Sequence, residues 1–180
     1  MANRLGYTTM PSPIGTLLLA ATEKGLCFIG FGDEEKELPA LQRWWKKQML
    51  PATPVRDEEI TQQAKTELEQ YFAGERYAFD LSLDLHGTPF QKKVWRELTN
   101  IPHGETRSYK EIALAIGAMK AVRAIGGANH CNPIPIIVPC HRVIGSNGAL
   151  VGYGGGLSIK EYLLQLEGVL PKDCAKQAIR

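Results

Sequence analysis

A cysteine, a histidine and an arginine stand side by side in this chain, Cys140-His141-Arg142, after an apolar run closed by a proline, Ile136-Ile137-Val138-Pro139. A thiol at the edge of a core, with an imidazole and a guanidinium beside it, can become a nucleophilic thiolate. The same residues also fit a packed cysteine at a strand end, because free Cys is among the most buried residue types. The segment from Ile136 to Val143, taken alone, favours the plainer reading; its surroundings reverse that preference. A nucleophilic cysteine needs a base and a group that orients the base. His141 is adjacent, and Glu167 lies on a predicted helix downstream, so all three residue types of an activated thiol are present. Neighbouring side chains diverge, so a water bridging Sγ and the ring is expected.

The acceptor segment must be held by what precedes it. Asn132-Pro133-Ile134-Pro135 cannot continue a helix, and the Asn132 amide can bond local backbone there. It reads as a hinge. Before it, two short helices meet at Gly117-Ala118, a helix-turn-helix pattern. The second spans about Met119 to Asn129, and its outer face is expected to be small, with Ala121, Ala124 and Ala128 near Arg123. Small residues let a helix backbone approach a groove closely; they also allow close packing inside a domain. Downstream, Gly145-Ser146-Asn147-Gly148 and Gly152-Tyr153-Gly154-Gly155-Gly156 form loops without a Walker-type Lys-Ser/Thr. They suit backbone contacts to a ligand.

Metal is the competing chemistry. His130-Cys131 and Cys140-His141 offer two Cys and two His, as zinc sites do. Adjacent ligands rarely converge on one ion, and the spacing matches no standard zinc pattern. No metal and no cofactor is expected.

The remaining elements divide at His86-Gly87-Thr88. Residues 1–86 are predicted to form an α/β domain, a small antiparallel sheet with helices. Strands are read at Ile14–Ala21, Leu26–Phe31 and, by alternation, Tyr77–Leu85; helices at Lys36–Met49 and about Asp57–Ala73. Trp44-Trp45 reads as packing. Residues 87–171 are predicted to be mainly helical, with 172–180 as a frayed tail. Three capping boxes mark helix starts, at Thr88-Pro89-Phe90-Gln91, Ser108-Tyr109-Lys110-Glu111 and Ser158-Ile159-Lys160-Glu161.

Bulk properties agree with a soluble globular chain: 180 residues, 44% hydrophobic and 22% charged. No apolar stretch is long enough to span a membrane, the first residues lack a signal-peptide core, and the four cysteines form no CxxC pair. A cytoplasmic setting with free thiols is expected. Residues 1–89 carry 9 Lys and Arg against 13 Asp and Glu, whereas residues 90–180 carry 12 against 6. The second half is the one suited to a polyanion.

Pro139-Cys140-His141-Arg142-Val143 resembles the active-site signature of the O6-alkylguanine-DNA alkyltransferases. The resemblance runs in order from Gly87-Thr88-Pro89-Phe90-Gln91 through Ser108-Tyr109, Arg123-Ala124-Ile125-Gly126-Gly127-Ala128 and Asn132-Pro133. It continues to Gly152-Tyr153, Lys160-Glu161-Tyr162-Leu163-Leu164 and Glu167-Gly168. Ser12-Pro13-Ile14-Gly15 and Tyr71-Phe72-Ala73-Gly74 fit the family's N-terminal domain less distinctively. The chain is similar to the single-protein bacterial type, without a regulatory metal-cysteine domain.

The resemblance implies a winged-helix-like C-terminal domain that flips O6-methylguanine, and O4-methylthymine, from duplex DNA through the minor groove. The alkyl group would pass irreversibly to Cys140, once per molecule. His141 would take the thiol proton through water, Glu167 would orient His141, and Asn132 would hold the hinge. Tyr109 would donate to the departing guanine. Arg123 would replace the flipped nucleotide, on a DNA-facing helix with Ala121, Ala124, Gly126 and Ala128. Backbone near Val143, Tyr153 and Gly154 would read the base. A monomer in solution, with cooperative binding on DNA left open, is implied. Cys27 and His86 are the N-terminal domain's only Cys and His, too few for the structural zinc of some relatives. Gly154 stands where some relatives have Ser and leaves room for larger alkyl groups. The alternative is a lesion-binding protein of the same fold without transfer, which the presence of Cys140 opposes.

Overall fold

Leu17-Leu18-Leu19-Ala20-Ala21 is apolar at every position, and a strand can bury such a run only between two layers. In the computed structural model, which describes residues 4–172, this run lies inside a four-stranded sheet. Its strands are β1 (Leu5–Met10), β2 (Leu17–Thr22), β3 (Gly25–Phe31) and β4 (Val55–Arg56), in the order β3-β2-β1-β4. Helix α1 (Glu34–Lys47) packs on β2 and β3, and α2 (Glu58–Phe72) on β1 and β2. All six residues of β2 are buried. Leu18 and Ala20 share a core with Leu5, Tyr7, Phe28, Leu41 and Trp45, and Trp44 packs at its margin.

The sheet is mixed rather than antiparallel. β1 pairs with β2 and β2 with β3 antiparallel, but β4 joins β1 in parallel, because α1 carries the chain back before it pairs. β1 and β4 are additions to the predicted strands. β2 begins at Leu17, not Ile14, since a turn closes first with Gly15 N–H donating to the Ser12 carbonyl at 3.1 Å. The predicted strand at Tyr77–Leu85 is reduced to a single bridge, Leu26 to Leu83. Leu26 N–H donates to the Ser82 carbonyl and Asp84 N–H to the Leu26 carbonyl, and no ladder extends beyond them. The backbone comes so near β3 there that a Cβ on Gly25, whose φ is +149°, would lie 2.3 Å from the Ser82 carbonyl oxygen. Asp33 and Asp57 cap α1 and α2, so α1 starts two residues before the predicted Lys36.

The chain divides into two compact units, one ending at His86 and the next beginning at Gly87. The second contains α3 (Pro89–Leu98), β5 (Arg107–Ser108), α4 (Tyr109–Ala115), α5 (Val122–His130), β6 (Val143–Ile144) and α6 (Leu157–Leu166). Thr88 and Ser108 form the capping boxes that open α3 and α4. The predicted helix from Met119 splits into a 3-10 turn, Met119–Ala121, and α5. The third box does not form: Ser158 lies inside α6, whose N-cap is Gly156 with no side-chain cap bond. Gly156 has φ +98°, a conformation open to glycine, and the helix starts directly after it. β5 and β6 run parallel, pairing Arg107 with Val143 and Ser108 with Ile144. Residues 173–180, most of the predicted tail and Cys174 with it, lie outside the described residues. No helix of the described residues is long and apolar enough to cross a membrane.

Candidate active site

Asn132 is the hinge in atomic terms. Its Nδ2 donates to the Val138 carbonyl at 2.8 Å, and its Oδ1 accepts from Ile134 N–H at 3.0 Å. The loop so clamped carries Ile136 at φ +75°, a left-handed conformation that a β-branched residue rarely adopts. Cys140 N–H then donates to the Val138 carbonyl at 2.8 Å, and Cys140–Arg142 forms a 3-10 turn rather than a strand end.

Cys140 is 4% exposed, and burial pushes its thiol up to about 11 against the opposing pull of the Asn132 amide and the Lys160 charge. The resting group is therefore a neutral thiol that needs a base. His141 is 0% exposed. Its Nε2 lies 2.7 Å from Glu167 Oε1, and its Nδ1 is buried without a hydrogen-bond partner among the described residues. An ionised carboxylate only accepts, so the Nε2 proton belongs on the Glu167 side and Nδ1 keeps a lone pair. Burial lowers the His141 pKa while Glu167 raises it in opposition, so the ring rests neutral and able to take a proton.

The parallel β5–β6 pair sets Tyr109, the first residue of α4, beside the acceptor segment. Its hydroxyl donates to the Val151 carbonyl at 3.3 Å. Burial raises its pKa, while the Asn129 amide acts the other way. Asn129 Nδ2 also donates to the Cys140 carbonyl at 3.4 Å, tying α5 to the acceptor.

α5 presents Arg123, Ala124 and Gly127 outward, while Ala121 and Gly126 are half-buried. Ala128 is a correction: it is 3% exposed and faces inward with Ile125 and Asn129. Its carbonyl accepts from Trp95 Nε1 of α3 at 2.8 Å. Helical phase explains this, since Ile125, Ala128 and Asn129 are spaced i, i+3, i+4 on one face. Gly127 takes the outward place expected of Ala128. Val122, 39% exposed, interrupts the small outer face. Val143 is buried with its carbonyl facing Lys160, Tyr153 is half-buried and Gly154 is exposed. No group of three or more His, Cys, Asp or Glu among the described residues is arranged to hold a metal, and Cys131 is exposed whereas Cys140 is buried.

Two family models match in tandem. Residues 5–85 match the ribonuclease-like domain of 6-O-methylguanine DNA methyltransferase, and residues 89–169 its DNA-binding domain. The methylated-DNA–protein-cysteine methyltransferase of Methanosarcina acetivorans is 51% identical over 162 residues, 90% of this chain and 97% of that protein. The chain belongs to the 6-O-methylguanine DNA methyltransferase family. A constitutive member from Bacillus subtilis is 45% identical over 170 residues, 93% of this chain and 98% of its own. A Mycobacterium tuberculosis OGT solved in complex with DNA aligns with a TM-score of 0.76 at 48% identity, covering 90% of this chain and 92% of that one.

Within this methyltransferase fold two charged residues join the site without a predicted role. Arg142 Nε and Nη2 each lie 2.8 Å from a Glu167 oxygen, and Nη1 donates to the Ile101 carbonyl at 2.6 Å. Lys160 is 0% exposed and bonds three backbone carbonyls. Lys160, Leu163, Leu164 and Glu167 are spaced i, i+3, i+4, i+7 and share the buried face of α6 and its C-cap. Charges at apolar positions of a helical stripe were the available signal.

Proposed function

We propose that this chain repairs alkylated double-stranded DNA by direct reversal, as a methylated-DNA–protein-cysteine S-methyltransferase that accepts the alkyl group on Cys140. The observation that carries this reading is the buried thiol followed directly by an imidazole with one nitrogen on Glu167 and the other unbonded. Residues 87–171 serve as the DNA-binding and acceptor domain, and residues 1–86 form a separate α/β unit.

His141 Nδ1 takes the Cys140 proton through a bridging water, and Glu167 stabilises the imidazolium. The thiolate attacks the methyl carbon on guanine O6. The S–C bond forms as the C–O bond breaks, and the electron pair leaves with O6. Tyr109 exchanges its hydrogen bond to Val151 for one to the departing guanine, supplying a proton as charge builds. The product is a thioether, and no neighbouring group can remove its alkyl. Each molecule therefore acts once and needs no cofactor.

The reacting carbon is shielded inside a duplex, so the base must be extruded at a cost of about a few kcal/mol. Arg123 fills the stack from the minor groove, with Ala121, Ala124 and Gly126 allowing α5 to approach and Gly127 joining them. Backbone groups of Val143, Tyr153 and Gly154 read the flipped base, which extends to O4-methylthymine. The protein works as a monomer in the cytoplasm, where thiols stay reduced.

Incubation with duplex DNA carrying O6-methylguanine, followed by peptide mass spectrometry, tests this. A methyl increment on Cys140, absent from Cys140→Ala, is expected. Tight binding without an adduct would make the protein a lesion binder and overturn the proposal.

A further inference from the structure

Lys160 is left unexplained by the reaction above. Lysine is almost never fully buried unless its ammonium is held. Here Nζ donates to the carbonyls of Val143 at 2.6 Å, Val151 at 3.0 Å and Gly152 at 3.5 Å, using all three donors. These acceptors lie at opposite ends of one loop. Val143 follows Cys140-His141-Arg142, and Val151-Gly152 closes the stretch beginning at Gly145. The loop is drawn in by Gly145 N–H donating to the Ala149 carbonyl at 2.9 Å. The lysine is thus fastened across the loop's neck. It also fixes the Val151 carbonyl, the oxygen on which the Tyr109 hydroxyl rests.

The three acceptors are neutral, so they leave the positive charge uncompensated. Burial lowers the Lys160 pKa, whereas charge on Cys140 raises it, so the ammonium and a thiolate at Cys140 favour each other. A methionine would fill similar space without desolvating a charge. The groups that face Cys140 are Tyr109 from α4, Asn129 from α5, Asn132 from the hinge and Lys160 from α6. His141 is adjacent, backed by Glu167 and Arg142, but the Arg142 charge is already matched by Glu167.

We propose that Lys160 is a positioning residue of the acceptor site: its ammonium fastens the neck of the 144–150 loop and stabilises the Cys140 thiolate as it forms. The proposal rests on the methyl-transfer reading of Cys140. It predicts that removing the charge raises the pH at which Cys140 reacts, whether or not DNA is present.

The test uses the full chain with Lys160→Met and Lys160→Gln, the second keeping hydrogen-bond donors without charge. Alkylation of Cys140 by iodoacetamide is followed against pH by peptide mass spectrometry. Single-turnover transfer from O6-methylguanine duplex is measured in parallel, separating the saturating rate constant from the half-saturating DNA concentration. Both variants are expected to move the reactivity half-point up by about one pH unit, which is about tenfold less thiolate below it. The saturating rate constant should fall with it, and the half-saturating DNA concentration should stay. A folded variant with the wild-type iodoacetamide profile would overturn the proposal; if Lys160→Met does not fold, Lys160→Gln decides. A wild-type chain that takes no methyl from DNA would sink the transfer reading alone, since the iodoacetamide profile still reports on Lys160.

Discussion

Arg142 grips Glu167 by both carboxylate oxygens, with Nε 2.8 Å from Oε2 and Nη2 2.8 Å from Oε1. The same Oε1 meets His141 Nε2 at 2.7 Å. Burial alone would raise this carboxyl, but the hydrogen bonds from His141 and Arg142 hold it well below the usual carboxylate range. Arginine stays charged at any working pH, so Glu167 stays an anion while His141 gains and loses its proton. Arg142 also anchors the carboxylate to the Ile101 carbonyl, outside the acceptor segment. The imidazole proposed as base is therefore oriented by a carboxylate that is itself oriented.

Glu167→Gln removes that anion and leaves Arg142 buried and unmatched. The variant should lose about 3–5 kcal/mol of stability, the usual cost of breaking a buried pair. Single-turnover transfer should slow by about a hundredfold, in line with losing general-base support. Denaturant melting and quenched transfer assays measure both. A folded variant that transfers at the wild-type rate would remove Glu167 from the mechanism.

Acid should destabilise the fold in two steps. His141 is held neutral by burial, so the unfolded chain gains a proton there as pH falls below about 6.5 and stability declines. Glu167 has a depressed folded pKa, so its contribution is complete above its unfolded value of about 4.3 and is lost as pH falls further. Melting temperature against pH reads both steps, and Glu167→Gln should erase the lower one. A melting temperature that stays level down to the carboxylate range would contradict the network.

Helix α5, proposed to face DNA, gives a separable prediction. A Cβ at Gly127 meets nothing within 4 Å, and Arg123 lies one turn away on the exposed side. Gly127→Ala should stabilise α5 by about 0.5–1 kcal/mol. Gly127→Leu should weaken duplex binding while sparing transfer from the free base, and Arg123→Ala should slow transfer from duplex selectively. Equal losses on duplex and free base would contradict both assignments.

Much of this was legible in the sequence where the determinants are local. The boxes at Thr88 and Ser108 depend on residues three apart and formed as read. The box at Ser158 obeyed the same rule and failed, because Gly156 opened α6 two positions earlier. Alternation over residues 77–85 did mark the part-buried side chains at Phe79, Leu81 and Leu83, but not Tyr77, which is 65% exposed. It could not supply hydrogen bonds, and β3 accepts this segment at a single bridge. Cys140, His141 and Glu167 stood out by type. Arg142 stood out only as a neighbour of the thiol and Lys160 only as a charge at an apolar position of a helical stripe, since the folded chain alone reveals the carbonyls of Ile101, Val143 and Val151 that hold them.

The bond from Trp95 to Ala128 makes one tryptophan a witness to α5, the helix proposed to meet DNA. The chain has three tryptophans, and Trp44 and Trp45 both belong to the unit that ends at His86. Trp95 alone reports from the second unit, with its indole nitrogen on the backbone of α5. A chain with Trp44 and Trp45 changed to Phe would keep Trp95 as its single tryptophan, which excitation beyond the tyrosine band selects. Its emission would register in real time any shift of α5 as DNA is engaged or as Cys140 is consumed, with no dye attached.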